Sequence, residues 1–206
     1  MPKRVVIGGG RGCGKSTLAV SLFSFLRSMD VSVGLHEVDV YSDTHACLLG
    51  QKPWIKRRKK TKAWLDPTIL RRVEEFRSDD HDWVIGDLPG KVTNPFLSRM
   101  VEPADAAILV FKDGGLPDAH KWLAFFMARK IPVLSFVLSE QGKESQLKFP
   151  FAGLEISTPH YIVRDLNREV KVDDDIRRVA VGLLTQLPAV DPKVGISLRT
   201  QQLVNG

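Results

Sequence analysis

Gly9-Gly10-Arg11-Gly12-Cys13-Gly14-Lys15-Ser16 fits the spacing G-x-x-x-x-G-K-[ST] at every fixed position. The apolar run Val5-Val6-Ile7 precedes it, and Leu18, Leu22, Phe25, Leu26 and Met29 follow at helical intervals. Strand, glycine loop and helix thus come in the order that a phosphate-binding loop needs. Glycines let backbone N–H groups turn inward around an anion, where side chains would block the approach. A helix N-terminus adds about half a positive charge at the same point. Lys15 can reach the β- and γ-phosphates, and the Ser16 hydroxyl can ligate Mg²⁺. The ligand implied is a nucleoside triphosphate, held by Gly10, Arg11, Gly12, Cys13, Gly14, Lys15, Ser16 and Thr17.

Working outward, the strand is expected over 4–8 and the helix over 15–29. Val31 to Val40 reads as a second strand, ending in Glu37-Val38-Asp39 before the polar segment Tyr41-Ser42-Asp43-Thr44-His45. A carboxylate at that strand end is placed for metal or water chemistry. Asp66-Pro67 signals a helix start, continued by Ile69, Val73 and Phe76. Trp83-Val84-Ile85-Gly86-Asp87 is an apolar strand ending in an acid, followed by Leu88-Pro89-Gly90. Such an acid can hold the hydration shell of Mg²⁺. A fourth strand is expected over Ala106–Phe111, a helix over Asp118–Lys130 and a fifth strand over Ile131–Leu138. Residues 142–151 read as loop and Glu155 to Ser157 as a short strand. The last helix starts near Asp174, with Ile176, Val179, Ala180, Leu183, Leu184 and Leu187 on one face and Pro188 ending it. The tail over 189–206 carries no pattern. Alternating strands and helices predict an α/β fold of three layers: a mostly parallel sheet with helices on both faces, in one domain over 1–206.

Composition sets the remaining bounds. With 43% hydrophobic and 26% charged residues, the 206-residue chain suits a soluble globular protein. No apolar run approaches the ~20 residues of a membrane span, and the first strand leaves no room for a signal peptide. Cys13 and Cys47 are the only cysteines, and a disulfide would tie down the loop, so free thiols and a cytoplasmic location are expected. The net charge of +6 is local: Lys52, Lys56, Arg57, Arg58, Lys59, Lys60 and Lys62 are seven basic residues in a run without an acid. The rest of the chain is close to neutral. This insertion near 50–64, flanked by Trp54 and Trp64, reads either as a solvated loop or as a contact for nucleic acid, an acidic protein or a phosphorylated substrate. Thr44-His45-Ala46-Cys47 and the other histidines match no zinc spacing and read as isolated structural or surface residues.

The ordered set of stretches resembles the MinD/ParA-like branch of P-loop nucleoside triphosphatases, the SIMIBI class. Glu37-Val38-Asp39 is similar to its Asp-x-Asp strand end, with Glu in place of the first acid. Asp82-Trp83-Val84-Ile85-Gly86-Asp87-Leu88-Pro89 and Ala104-Asp105-Ala106-Ala107-Ile108-Leu109-Val110 are similar to its next two stretches. The resemblance covers roughly residues 4 to 138. It implies ATP and Mg²⁺ as cofactors, Lys15, Asp39 and Asp87 as catalytic residues, and Ser16, Asp39 and Asp87 around the metal. Asp39 would orient the attacking water and Gly90 would sense the γ-phosphate. Many members carry a further lysine that crosses a dimer to the partner's nucleotide. Here that position is Gly10, with Arg11 one residue out of register, and a homodimer stays open. Guanine readers carry Asn-Lys-x-Asp where this chain has Ser139-Glu140-Gln141-Gly142, which favours ATP over GTP. Three functions follow in order: an ATPase controlling a partner or assembly step, a phosphotransferase, and a nucleotide-binding adapter.

Overall fold

In the computed structural model, the described residues are 1–38, 44–52, 67–112, 114–140, 159–164, 166, 169–170 and 172–187. Asp39, the basic run beyond Lys52, residues 142–151, the strand expected at 155–157 and the tail over 189–206 lie outside them.

Period-two alternation builds the sheet. In β1 (Lys3–Gly9), Val5 and Ile7 face one apolar layer and Val6 faces the other. β4 (Ala106–Lys112) does the same, with Ile108 and Val110 on one side and Leu109 and Phe111 on the other. Strands buried on both faces need apolar residues at nearly every position, which is how these read. With β2 (Val33–Glu37), β3 (Trp83–Asp87), β5 (Val133–Glu140) and β6 (His160–Arg164), they form a six-stranded sheet in the order β2-β3-β1-β4-β5-β6. All five pairings are parallel.

α1 (Lys15–Ser28) and α6 (Asp174–Gln186) cover one face, inserting Leu18, Leu22, Ile176 and Leu183. α3 (Pro67–Ser78) and α5 (Leu116–Ala128) cover the other through Phe76, Trp122 and Phe126, helped by the short α4 (Leu97–Val101). A side chain of this size stabilises by about 1.5–3 kcal/mol when fully buried. The three-layer α/β expectation is therefore what the structure has. No helix among the described residues is long and apolar enough to cross a membrane.

Several boundaries differ from the sequence reading. β2 starts at Val33, because Asp30 takes a left-handed turn (φ 58°) and Val31 N–H still bonds the Leu26 carbonyl of α1. β5 continues to Glu140, so Ser139 and Glu140 are strand residues and not the loop after it. A further short helix, α2, spans Thr44–Leu48 and starts within the polar segment that follows β2.

At the far end of the sheet, Asp79 accepts hydrogen bonds from His36 Nε2 and His81 Nδ1, each at 2.6 Å, and from the His81 backbone N–H at 2.9 Å. Burial works to raise this carboxyl. The bonds from His36 and His81 outweigh it and hold it below the ordinary value of 3.8. A depressed native pKa stabilises the fold above the unfolded value and is lost as pH falls through the native one. The stability difference between wild type and Asp79→Asn should thus be larger at about pH 5 than at about pH 2.5, read from urea midpoints. An equal difference at both would show that the carboxylate charge contributes nothing.

Candidate functional site

The loop between β1 and α1 closes with Gly14 in a left-handed conformation (φ 87°), where a side chain would also run into Leu166 Cβ at 2.7 Å. Only glycine fits there. The N-cap of α1 is Gly14, which has no side chain to cap the first turn, whereas Asp173 caps α6 by accepting from Ile176 N–H at 3.1 Å. The leading N–H groups of α1 are left for an anion. Lys15 is 7% exposed, and its Nζ donates to the Gly10 carbonyl at 2.9 Å. The same carbonyl accepts from Cys13 Sγ at 3.0 Å. Burial pushes the Cys13 thiol up, against the pull of the Lys15 charge, so it stays protonated as a small buried filler. Neither Cys13 nor Cys47 is in a disulfide.

Asp87 ends β3 directly opposite Ile7 of β1, and the next residue's N–H bonds the Ile7 carbonyl at 3.1 Å. This register sets the carboxylate beside the loop. Its side chain is 3% exposed; Oδ2 lies 3.2 Å from His45 Nε2, and Oδ1 has no hydrogen-bond partner among the described residues. A partnerless buried carboxylate oxygen costs free energy unless something binds it. Beyond it, Gly90 lies so close to the loop that a Cβ would stand 2.7 Å from Arg11 Cγ and 3.1 Å from Arg11 Cα. A second stretch, holding Asp87 and Gly90, is thus brought to the loop at 9–16.

β2 supplies the third stretch. Glu37 is in register with Asp87, and Val38 N–H donates to the Asp87 carbonyl at 3.1 Å. Asp39 itself lies outside the described residues. Glu37 Oε1 accepts from Thr44 N–H at 2.9 Å, fixing the start of α2, and the Glu37 carbonyl accepts from Arg72 Nη1 at 2.6 Å. α2 then carries His45 onto Asp87.

His45 is the residue that sequence reasoning missed. It is 7% exposed, not isolated, and its partner is 42 positions away, beyond any local spacing. A cavity of ≈ 370 Å³ opens beside it, lined by Phe23, Leu35, Glu37, His45, Leu49 and Arg72. Lys112 was missed too: Nζ stands 4.0 Å from where a Cβ on Gly12 would be. Asp118 is the neighbour of Gly10, its Oδ2 3.2 Å from the corresponding point there. Arg11, Gly12, Ser16 and Thr17 belong to the same loop and first turn.

No family model matches the chain. A curated relative, an iron-sulfur cluster carrier protein of Deinococcus radiodurans, is 28% identical over an alignment of 166 residues that covers 65% of this chain. The chain spans 47% of that relative's length. Among solved structures, the septum site-determining protein MinD of Pyrococcus horikoshii, complexed with Mg-ADP, matches 95% of this chain and 98% of its own. That match has TM-score 0.66 and 19% identity. A plasmid partition protein of Borrelia burgdorferi bound to AMPPNP matches 90% of this chain and 99% of its own, at TM-score 0.59 and 15% identity. Likeness at this identity concerns the fold, and the fold is the MinD/ParA-type P-loop fold expected from the ordered motifs.

Proposed function

We propose that this MinD/ParA-type chain binds ATP with Mg²⁺ at the 9–16 loop and hydrolyses it to control a partner or an assembly step. One observation carries the reading: Asp87, buried and with one oxygen partnerless among the described residues, ends β3 opposite Ile7 on the strand that leads into the glycine loop, and Gly90 packs on Arg11 of that loop.

Each residue then has a task. Loop N–H groups hold the phosphate oxygens, and Lys15 exchanges the Gly10 carbonyl for the β- and γ-phosphates. The Ser16 hydroxyl and Asp87 suit Mg²⁺, a hard cation that prefers oxygen ligands, and Asp87 Oδ1 is the atom in need of such a partner. Bound there, the ion supplies charge neutralisation at the phosphates. Asp39 orients a water whose oxygen attacks the γ-phosphorus in line; the bond to the β–γ bridging oxygen breaks, and ADP and phosphate leave. Gly90 senses the γ-phosphate. The basic stretch Lys52–Lys62 is the proposed contact for an acidic protein or nucleic acid.

The name of one relative, an iron-sulfur cluster carrier protein, suggests other cargo. An iron–sulfur cluster is held by four cysteine thiolates in most sites, and this chain has Cys13, buried in the loop, and Cys47. Those residues do not fit such a cluster. ATP labelled at the γ-phosphate tests the proposal: free labelled phosphate is the expected product. Label transferred to an acceptor would replace hydrolysis by a phosphotransferase, and bound, uncleaved ATP would make the chain an adapter.

A further inference from the structure

Beyond the nucleotide reading, we infer that Glu37, His45 and Asp87 form a binding site for a first-row transition-metal ion, open to the cavity between β2, α2 and α3. One ligand atom from each of the three lies within 4.8 Å of the others. In a facial set, ligand bonds of about 2.1 Å put the ligand atoms about 3.0 Å apart, so an ion would draw the most distant pair together by up to about 1.8 Å. The backbone already fixes two of them: Glu37 and Asp87 are register partners on adjacent strands. The third is fixed by α2, whose first N–H is bonded to Glu37 itself.

The donor set decides which metal. Mg²⁺ favours all-oxygen, octahedral surroundings and keeps its waters, whereas an imidazole beside carboxylates suits zinc, cobalt, nickel or iron(II). Two carboxylates match the charge of a divalent ion, and neutral imidazole completes a facial set of three. Asp87 Oδ1 has no partner among the described residues, although its side chain is 97% buried, and an ion would satisfy it. Coordination through His45 Nε2 requires the tautomer with its proton on Nδ1, so the present contact to Asp87 Oδ2 gives way to two bonds to a shared ion. The ≈ 370 Å³ cavity that Glu37 and His45 line leaves room for water or an incoming ligand at the remaining positions. Because Asp87 also serves the proposed nucleotide site, an ion here would compete with nucleotide-bound magnesium for that carboxylate.

Cobalt(II) titration of the full, nucleotide-free chain, followed by visible absorption, tests the site without calling on ATP binding or turnover. The expected result is one ion per chain, displaced by an equal concentration of zinc and retained in an excess of magnesium. His45→Ala and Glu37→Gln should each weaken binding by at least about tenfold. Should His45→Ala lose its near-ultraviolet circular dichroism, His45→Gln replaces it with a side chain of closer volume. His81→Ala, in the other cluster of Asp79, Asp80 and His81, should leave cobalt binding unchanged. Four results would overturn the inference. They are absence of binding, equal binding by wild type, His45→Gln and Glu37→Gln, loss of binding in His81→Ala, or displacement by equimolar magnesium.

Discussion

Asp39→Asn is expected to bind ATP as tightly as the wild type and to hydrolyse it about 10²–10⁴-fold more slowly, the usual loss when a general base or water-orienting group is removed. Val38, the residue before it, is buried and bonded through its N–H to the Asp87 carbonyl. The chain thus leaves β2 at the very strand end where the candidate site is built. The amide has the shape of the carboxylate without its charge or basicity, so contacts to bound nucleotide should survive while a water loses its acceptor. Single-turnover hydrolysis and equilibrium binding, measured on the same samples, separate the two effects. A mutant that turns over at the wild-type rate would remove Asp39 from the mechanism and make Asp43 the next residue to change.

Lys15→Ala is expected to weaken ATP binding by about 10- to 100-fold while the fold survives. Hydrogen bonds to charged groups contribute about 1.5–3 kcal/mol net, and tenfold in affinity corresponds to about 1.4 kcal/mol. In the free loop, Lys15 Nζ is bonded to the Gly10 carbonyl, which the Cys13 thiol also reaches. Truncation therefore leaves that carbonyl with a partner and removes a charge that was itself costly to bury. Calorimetric titration with ATP and magnesium reads the affinity, and circular dichroism reads the fold. Unchanged affinity in a folded mutant would mean that nucleotide binds elsewhere.

Local patterns were readable wherever the structure is determined locally. Gly9 to Ser16, the apolar periods of α1 and α6, and the acid ending β3 each carry their constraint in adjacent residues, and the structure places them as expected. Two kinds of feature escaped. Five-residue elements such as α2 and α4 are too short to show a helical period. β6 alternates weakly, with only Val163 fully buried, because it is the edge strand and packs on one side. The glycine loop, Asp87 and Gly90 were legible in the sequence as candidates, and the structure brings them near one another. His45 was not, because what makes it part of the site is a contact to Asp87 created by the pairing of β2 with β3. Spacing along a chain reports neighbours on one element, not residues brought together across a sheet.

The central position of β1 has a consequence for how the molecule is made. Its two sheet neighbours come much later in the chain: Lys3 is in register with Trp83, and Val5 with Ala106. On a ribosome the glycine loop emerges well before those partners, and the strand bearing it stays unpaired until they follow. Long-range parallel pairing of this kind is slow, and an unpaired apolar strand is open to association with other chains. A nascent chain ending before residue 106 would carry the whole nucleotide motif and lack one wall of the sheet that holds it. Such fragments should be substrates for chaperones rather than binders of ATP, which makes phosphate-loop competence a late event in the birth of this protein.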